Sequence, residues 1–111
     1  MVSPQFEKAA IEIEQINGKL ANDDLLDLYA TFKIAHGQEP SKPGMFDMAG
    51  KAKSKRYTEW KEKGTTAEQA EQEYIKLVEG FKTKHGHDPT RTTKADGTAI
   101  DEKKLQRLKE L

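Results

Sequence analysis

The chain has 111 residues and no cysteine, and its 19 lysines and arginines are matched by 19 aspartates and glutamates. That length suits one small domain with one core, and the missing thiols exclude disulfides and thiolate metal sites. A net charge of zero argues against a general nucleic-acid binder. The start lacks a signal peptide's basic and apolar blocks and no apolar run could span a bilayer, so the expectation is a cytoplasmic protein without stable membrane insertion.

Ser3 and Pro4 read as a helix start, with a hydroxyl at the cap and proline at the first helical position. Phe6, Ala9, Ile13 and Ile16 then recur at helical spacing, and Asn17-Gly18 ends the element. Asn22 is placed to cap a second helix, with Asp23 and Asp24 suited to its positive end. Leu25, Leu28, Tyr29 and Phe32 form an apolar stripe on it, and Lys33 follows Tyr29 by one turn. The helix runs to about His36 and stops at Gly37. Residues 37 to 47 are a loop broken by Pro40, Pro43 and Gly44.

A third helix is expected from about Asp47 to Lys63, anchored by Met48, Tyr57 and Trp60. Six basic residues lie between Lys51 and Lys63, against Glu59 and Glu62, so this helix reads as a basic rim more than a core element. Thr66 and Gln69 have the spacing of a capping box. Behind it Ala70, Tyr74, Leu77, Val78 and Phe81 give the cleanest helical stripe in the chain, closed at Gly86. From residue 87 onward turns dominate. Thr98 is placed to cap a last short helix whose thin stripe is Leu105, Leu108 and Leu111. Such a helix has three options: docking on the bundle, pairing with a partner, or fraying.

No catalytic set emerges. His36, His85 and His87 have no metal-ligand spacing, and neither a nucleophile elbow nor a phosphate-binding glycine loop is present. What remains is a binding constellation: Tyr29, Phe32 and Lys33 on the second helix, the lysines of the third, and Tyr74 on the fourth. Lysines supply point charges for phosphates, and aromatic rings supply faces for a base. Apolar residues between helices can shelter an alkyl chain. The residues alone do not choose among amphiphilic anions.

Three stretches carry a family resemblance. Tyr29-Ala30-Thr31-Phe32-Lys33 follows Asp24-Leu25-Leu26-Asp27-Leu28. Downstream come Lys42-Pro43-Gly44-Met45-Phe46-Asp47-Met48 with Gly50-Lys51-Ala52-Lys53, and then Lys63-Gly64-Thr65-Thr66 with Glu71-Gln72-Glu73-Tyr74-Ile75. In order and spacing these resemble the acyl-CoA-binding protein family over most of residues 1–86. The resemblance implies an all-α, four-helix bundle over residues 1–86, followed by a tail at 87–111 that is turn-rich and then helical. It implies a monomeric, non-enzymatic carrier that pools long-chain acyl-CoA and needs no cofactor. Tyr29 and Lys33 would contact the adenine and the ribose 3′-phosphate, Lys53 would add a second cation there, and Tyr74 would pack against the nucleotide end. Ala30, Thr31 and Phe32 would line the site.

Four positions depart from the family's pattern. Phe32 stands in place of a tyrosine, Glu14 in place of a basic residue, and Ala49 in place of a lysine. Ser54-Lys55-Arg56 intervenes where an aromatic usually follows the lysine, which makes Arg56 a second candidate beside Lys53 for the phosphate. Three residues are close to one helical turn, so an unbroken helix keeps nearly the same facing. These departures also admit an interaction module of the same fold, weakened in ligand binding, that uses its tail for a protein partner.

Overall fold

Five helices form in the computed structural model, which describes residues 2–111: α1 (Pro4–Glu12), α2 (Asn22–Ala35), α3 (Met48–Glu62), α4 (Ala67–His85) and α5 (Glu102–Glu110). No strand forms among the described residues, so the chain is all-α. It divides into two compact units. One comprises residues 20–74 with Val2; the other comprises residues 3–19 and 75–111, so each takes part of α4.

In the first unit, the residue at the cap of α2 is Ala21, not the expected Asn22. Ala21 makes no side-chain cap bond, and Asn22 is already helical. Leu25 N–H donates to the Ala21 carbonyl at 3.0 Å, and Asp23 and Asp24 put negative charge at the positive helix end. The helix closes where Gly37 takes φ +67°, with Gln38 N–H donating to the Lys33 carbonyl at 2.9 Å.

The buried arc of α2 is Leu28, Ala30, Thr31, Ile34 and Ala35. The stripe read from the sequence is therefore rotated off the core. Of its four members only Leu28 is buried, Tyr29 and Phe32 are half-buried, and Leu25 is exposed. Small residues cause the rotation, because Ala30, Thr31 and Ala35 pack closely without registering as large hydrophobes.

Helix α3 is capped by Asp47, whose carboxylate accepts from Gly50 N–H at 2.8 Å. It buries no residue, as its basic composition suggests. Met48, expected as an anchor, is exposed at the helix's first position. The anchoring is polar instead. Arg56 pairs with Asp27 at 2.7 Å and Asp23 at 3.0 Å, and Trp60 Nε1–H donates to the same Asp27 oxygen at 3.0 Å. At the start of α4 the capping box is reciprocal: Gln69 N–H donates to Thr66 Oγ1 at 3.2 Å, and Thr66 N–H donates to Gln69 Oε1 at 3.0 Å. Ala70 and Tyr74 are buried behind it.

In the second unit, Ser3 Oγ accepts from Phe6 N–H at 3.2 Å to open α1. After Glu12 the chain tightens into a 3-10 turn over Ile13–Gln15. Phe6, Ala9 and Ile16 are buried as the periodicity predicts, whereas Ile13 is half-buried and Ile11 takes a core place. On the later part of α4, Val78 and Phe81 are buried and Leu77 is half-buried. Gly86 closes α4 at φ +84°, where its carbonyl accepts from Asn17 N–H at 2.9 Å. A Cβ at Gly86 would lie 2.9 Å from Asn17 Nδ2 and displace that side chain, and the positive φ itself favours glycine.

Of the three options for the last helix, the structure takes docking, against α1. Arg107 forms a forked pair with Glu7 at 2.7 and 3.0 Å. Lys104 reaches Glu14 at 3.2 Å, and Lys94 reaches the same carboxylate at 3.3 Å. Asp101, not Thr98, caps α5 by accepting from Lys103 N–H at 2.8 Å. Thr98 instead donates its hydroxyl to Asp96 at 2.6 Å and belongs to the preceding turn. Ile100, just before the cap, is buried.

Candidate ligand-binding site

The first unit gathers the sequence-derived residues around one ring. Tyr29 lies on the half-open shoulder of α2, and Lys33 Nζ sits 5.9 Å from its ring centroid. From α3, Lys53 Nζ approaches the same ring at 5.2 Å. Two ammoniums from two helices thus approach one phenol, within the range of cation–π attraction. Lys33 donates to Gln38 Oε1 at 3.3 Å, a neutral partner. Among the described residues no carboxylate pairs with either ammonium, so both positive charges remain available to an anion.

A second aromatic group lies beside it. Phe32 is 5.8 Å from the Tyr74 ring and 4.4 Å from the His36 ring, both tilted. Tyr74 itself is buried. Tyr57, on α3, has its phenol pushed above the usual value by burial first, and then by the charges of Glu39 and Tyr29.

Other sequence-derived residues have different surroundings. Ala30 and Thr31 are 0 % exposed, and the Thr31 hydroxyl donates back to the Asp27 carbonyl at 2.8 Å. They form the packed wall behind Tyr29. Arg56 is held by two carboxylates, and its hydrogen bond to Asp27 is the main cause that raises its pKa above the ordinary value. Its charge is thereby balanced within the protein. Sequence reasoning missed this clamp, although a signal existed: Asp23 and Asp27 are one turn apart on α2, as Arg56 and Trp60 are on α3.

Glu14 lies in the second unit, where Lys94 and Lys104 surround it. Its negative charge is met by the tail. No group of side chains able to hold a metal ion occurs among the described residues, and no helix there is long and apolar enough to cross a membrane.

An aromatic ring approached by two lysines that have no carboxylate partner among the described residues, on a helix carrying Tyr-x-x-Phe-Lys, agrees with a direct comparison of sequences. The model of the family described as acyl CoA binding protein matches residues 3–78. The chain belongs to that family. Acyl-CoA-binding protein homolog of Drosophila melanogaster is 41% identical over 87 residues, spanning 77% of this chain and 99% of the relative. Acyl-CoA-binding protein homolog 1 of Caenorhabditis elegans is 39% identical over 84 residues, spanning 73% and 94%. Acyl-CoA-binding protein of Saccharomyces cerevisiae is 38% identical over 88 residues, spanning 77% and 98%. Relative to the acyl-CoA-binding family model, residues 79–111 lie beyond the match, including all of α5.

Proposed function

We propose that this protein binds long-chain acyl-CoA thioesters and carries them as an intracellular pool in lipid metabolism, working in the cytoplasm as a monomer without catalysis or cofactor. The observation that carries this reading is the Tyr29 ring with Lys33 and Lys53 both close to it, in a chain of this family. The nucleotide end of an acyl-CoA needs a flat face for adenine and cations for the 3′-phosphate. Tyr29 provides the first, and Lys33 and Lys53 provide the second. Arg56, already balanced by Asp23 and Asp27, serves the α2–α3 connection and leaves the phosphate to Lys53.

The apolar part of the ligand also finds support. Leu25 lies one turn before Tyr29 and is 49% exposed, so the open shoulder of α2 continues the aromatic site as an apolar strip. Burying an alkyl chain contributes about 0.8 kcal/mol per methylene, which favours a long chain over a short one. Phe32 borders the strip beside Tyr74, and Ala30 and Thr31 fix the helix from behind.

Calorimetric titration tests the reading, with palmitoyl-CoA as ligand and CoA and palmitate as separate controls. One-to-one binding of the thioester, with both fragments much weaker, is the expected result. Lys33→Ala should weaken palmitoyl-CoA by roughly tenfold to a hundredfold, the usual worth of a hydrogen bond to a charged group, with thermal stability little changed. Equal affinity in that variant would remove Lys33 from the site. Absence of thioester binding in the unmodified chain would overturn the carrier function itself.

A further inference from the structure

Four large hydrophobic side chains stand out as exposed among the described residues, and three of them are nearly consecutive. Met45 is 77% exposed, Phe46 90% and Met48 74%. Scattered exposed hydrophobes are ordinary, but a contiguous set marks a surface that meets something apolar. We infer that this turn, at the start of α3, is a docking tip for anionic lipid surfaces.

The tip is held in place. Lys51 Nζ donates to the Met45 carbonyl at 2.6 Å, Asp47 N–H donates to the Gly44 carbonyl at 3.2 Å, and the Asp47 carboxylate is occupied as the α3 cap. The three side chains are therefore presented outward by an ordered turn. Lys51 touches the turn, Lys42 precedes it in the chain and Lys55 follows Lys51 by one helical turn; all three are exposed, and Asp47 is the one acidic residue between positions 42 and 55. In a chain of zero net charge this is a locally positive collar around an apolar point.

That combination matches the edge of a bilayer. Apolar side chains enter the boundary of headgroups and acyl chains while lysines pair with anionic headgroups. The residues at 45, 46 and 48 follow neither a helical nor a strand repeat, so they do not form the face that a protein groove reads. Two flexible methionines suit a fluid phase. Contact of this kind is peripheral and reversible. It uses none of the residues assigned to acyl-CoA, so the two proposals fail separately.

Co-sedimentation of the full chain with vesicles tests it, without acyl-CoA present. Vesicles of phosphatidylcholine with phosphatidylserine should retain the protein, pure phosphatidylcholine should retain less, and added salt should release it. Phe46→Ser combined with Met45→Ser should lower retention at least about tenfold. Because both side chains are exposed, the thermal transition and the palmitoyl-CoA affinity in lipid-free buffer should match the parent. Lys42→Glu with Lys55→Glu should reduce retention on anionic vesicles alone. Retention that is absent at low salt, or unchanged by Phe46→Ser with Met45→Ser, would overturn the inference. A concentration-dependent dimer lost in that variant, with no vesicle binding, would overturn it in favour of contact between copies of this chain.

Discussion

Tyr29 receives its two cations by different routes, and the difference shows what a sequence can reveal about one residue. Lys33 is four positions away on the same helix, so its proximity follows from helical geometry alone. Lys53 comes from α3, and its 5.2 Å approach depends on how α3 is set against α2. Spacing carries no such information, and the extra Ser54-Lys55-Arg56 made Arg56 an equal candidate. They differ in charge balance: Arg56 has two carboxylate partners, whereas Lys53 pairs with none among the described residues, which supports Lys53 in the proposed site. Lys53→Ala should therefore weaken palmitoyl-CoA binding by about tenfold or more in calorimetry while the melting temperature stays within error. A fall in stability with unchanged affinity would reverse the two assignments.

Arg56 belongs to the scale of the element. Helix α3 buries no side chain, so the usual hydrophobic cause of helix docking is weak there. The polar clamp of Arg56 and Trp60 on Asp23 and Asp27 substitutes for it, and Asp27 accepts from both partners through one oxygen. Arg56→Ala should lower unfolding free energy by about 1–2 kcal/mol in urea titration, since it leaves a half-buried Asp27 short of its charged donor. It should also weaken acyl-CoA more modestly than Lys53→Ala, because α3 would hold Lys53 less firmly over Tyr29. Helix ends were largely legible: Ser3, the Thr66–Gln69 box and the stop at Gly37 depend on chemistry within a few residues. The facing of α2 was not. Its small residues pack better than its large ones, and a reading by hydrophobicity points to Leu25 and Phe32 instead of Thr31 and Ala35. The misread stripe is the shoulder on which the proposed ligand strip lies.

At the scale of the whole molecule, the tail is the part least visible in the sequence, and its carboxylates make its order a question of pH. Its attachment begins at Gln15, a fully buried polar side chain. The Gln15 amide donates to the carbonyls of Pro89 and Arg91 at 3.1 and 3.2 Å, and its oxygen lies 3.1 Å from His87 Nε2. Hydrophobic periodicity passes over a glutamine, so the thin leucine stripe of α5 gave no hint of this anchor. Farther along, carboxylates secure the tail. Arg107 holds the Glu7 carboxyl below its ordinary value of 4.5, chiefly by hydrogen bonding. Thr90 and Thr98 do the same for Asp88 and Asp96, whose ordinary value is 3.8. A carboxylate whose pKa is depressed by folding stabilises the fold fully above the unfolded value, and that contribution is lost as pH falls through the folded one. All three act in one direction, Glu7 on the docking of α5 against α1 and Asp88 and Asp96 on turns within the tail, so the order of residues 87–111 should be constant from neutral pH to about 4.5 and weaken below it. Hydrogen exchange read at the tail amides, corrected for intrinsic rates, should show protection falling under acid. Glu7→Gln should lower tail protection at neutral pH and flatten part of the acid dependence, because the amide keeps the shape but cannot titrate. Tail protection that declines steadily between neutral pH and 5 would assign the effect to other groups than these carboxylates.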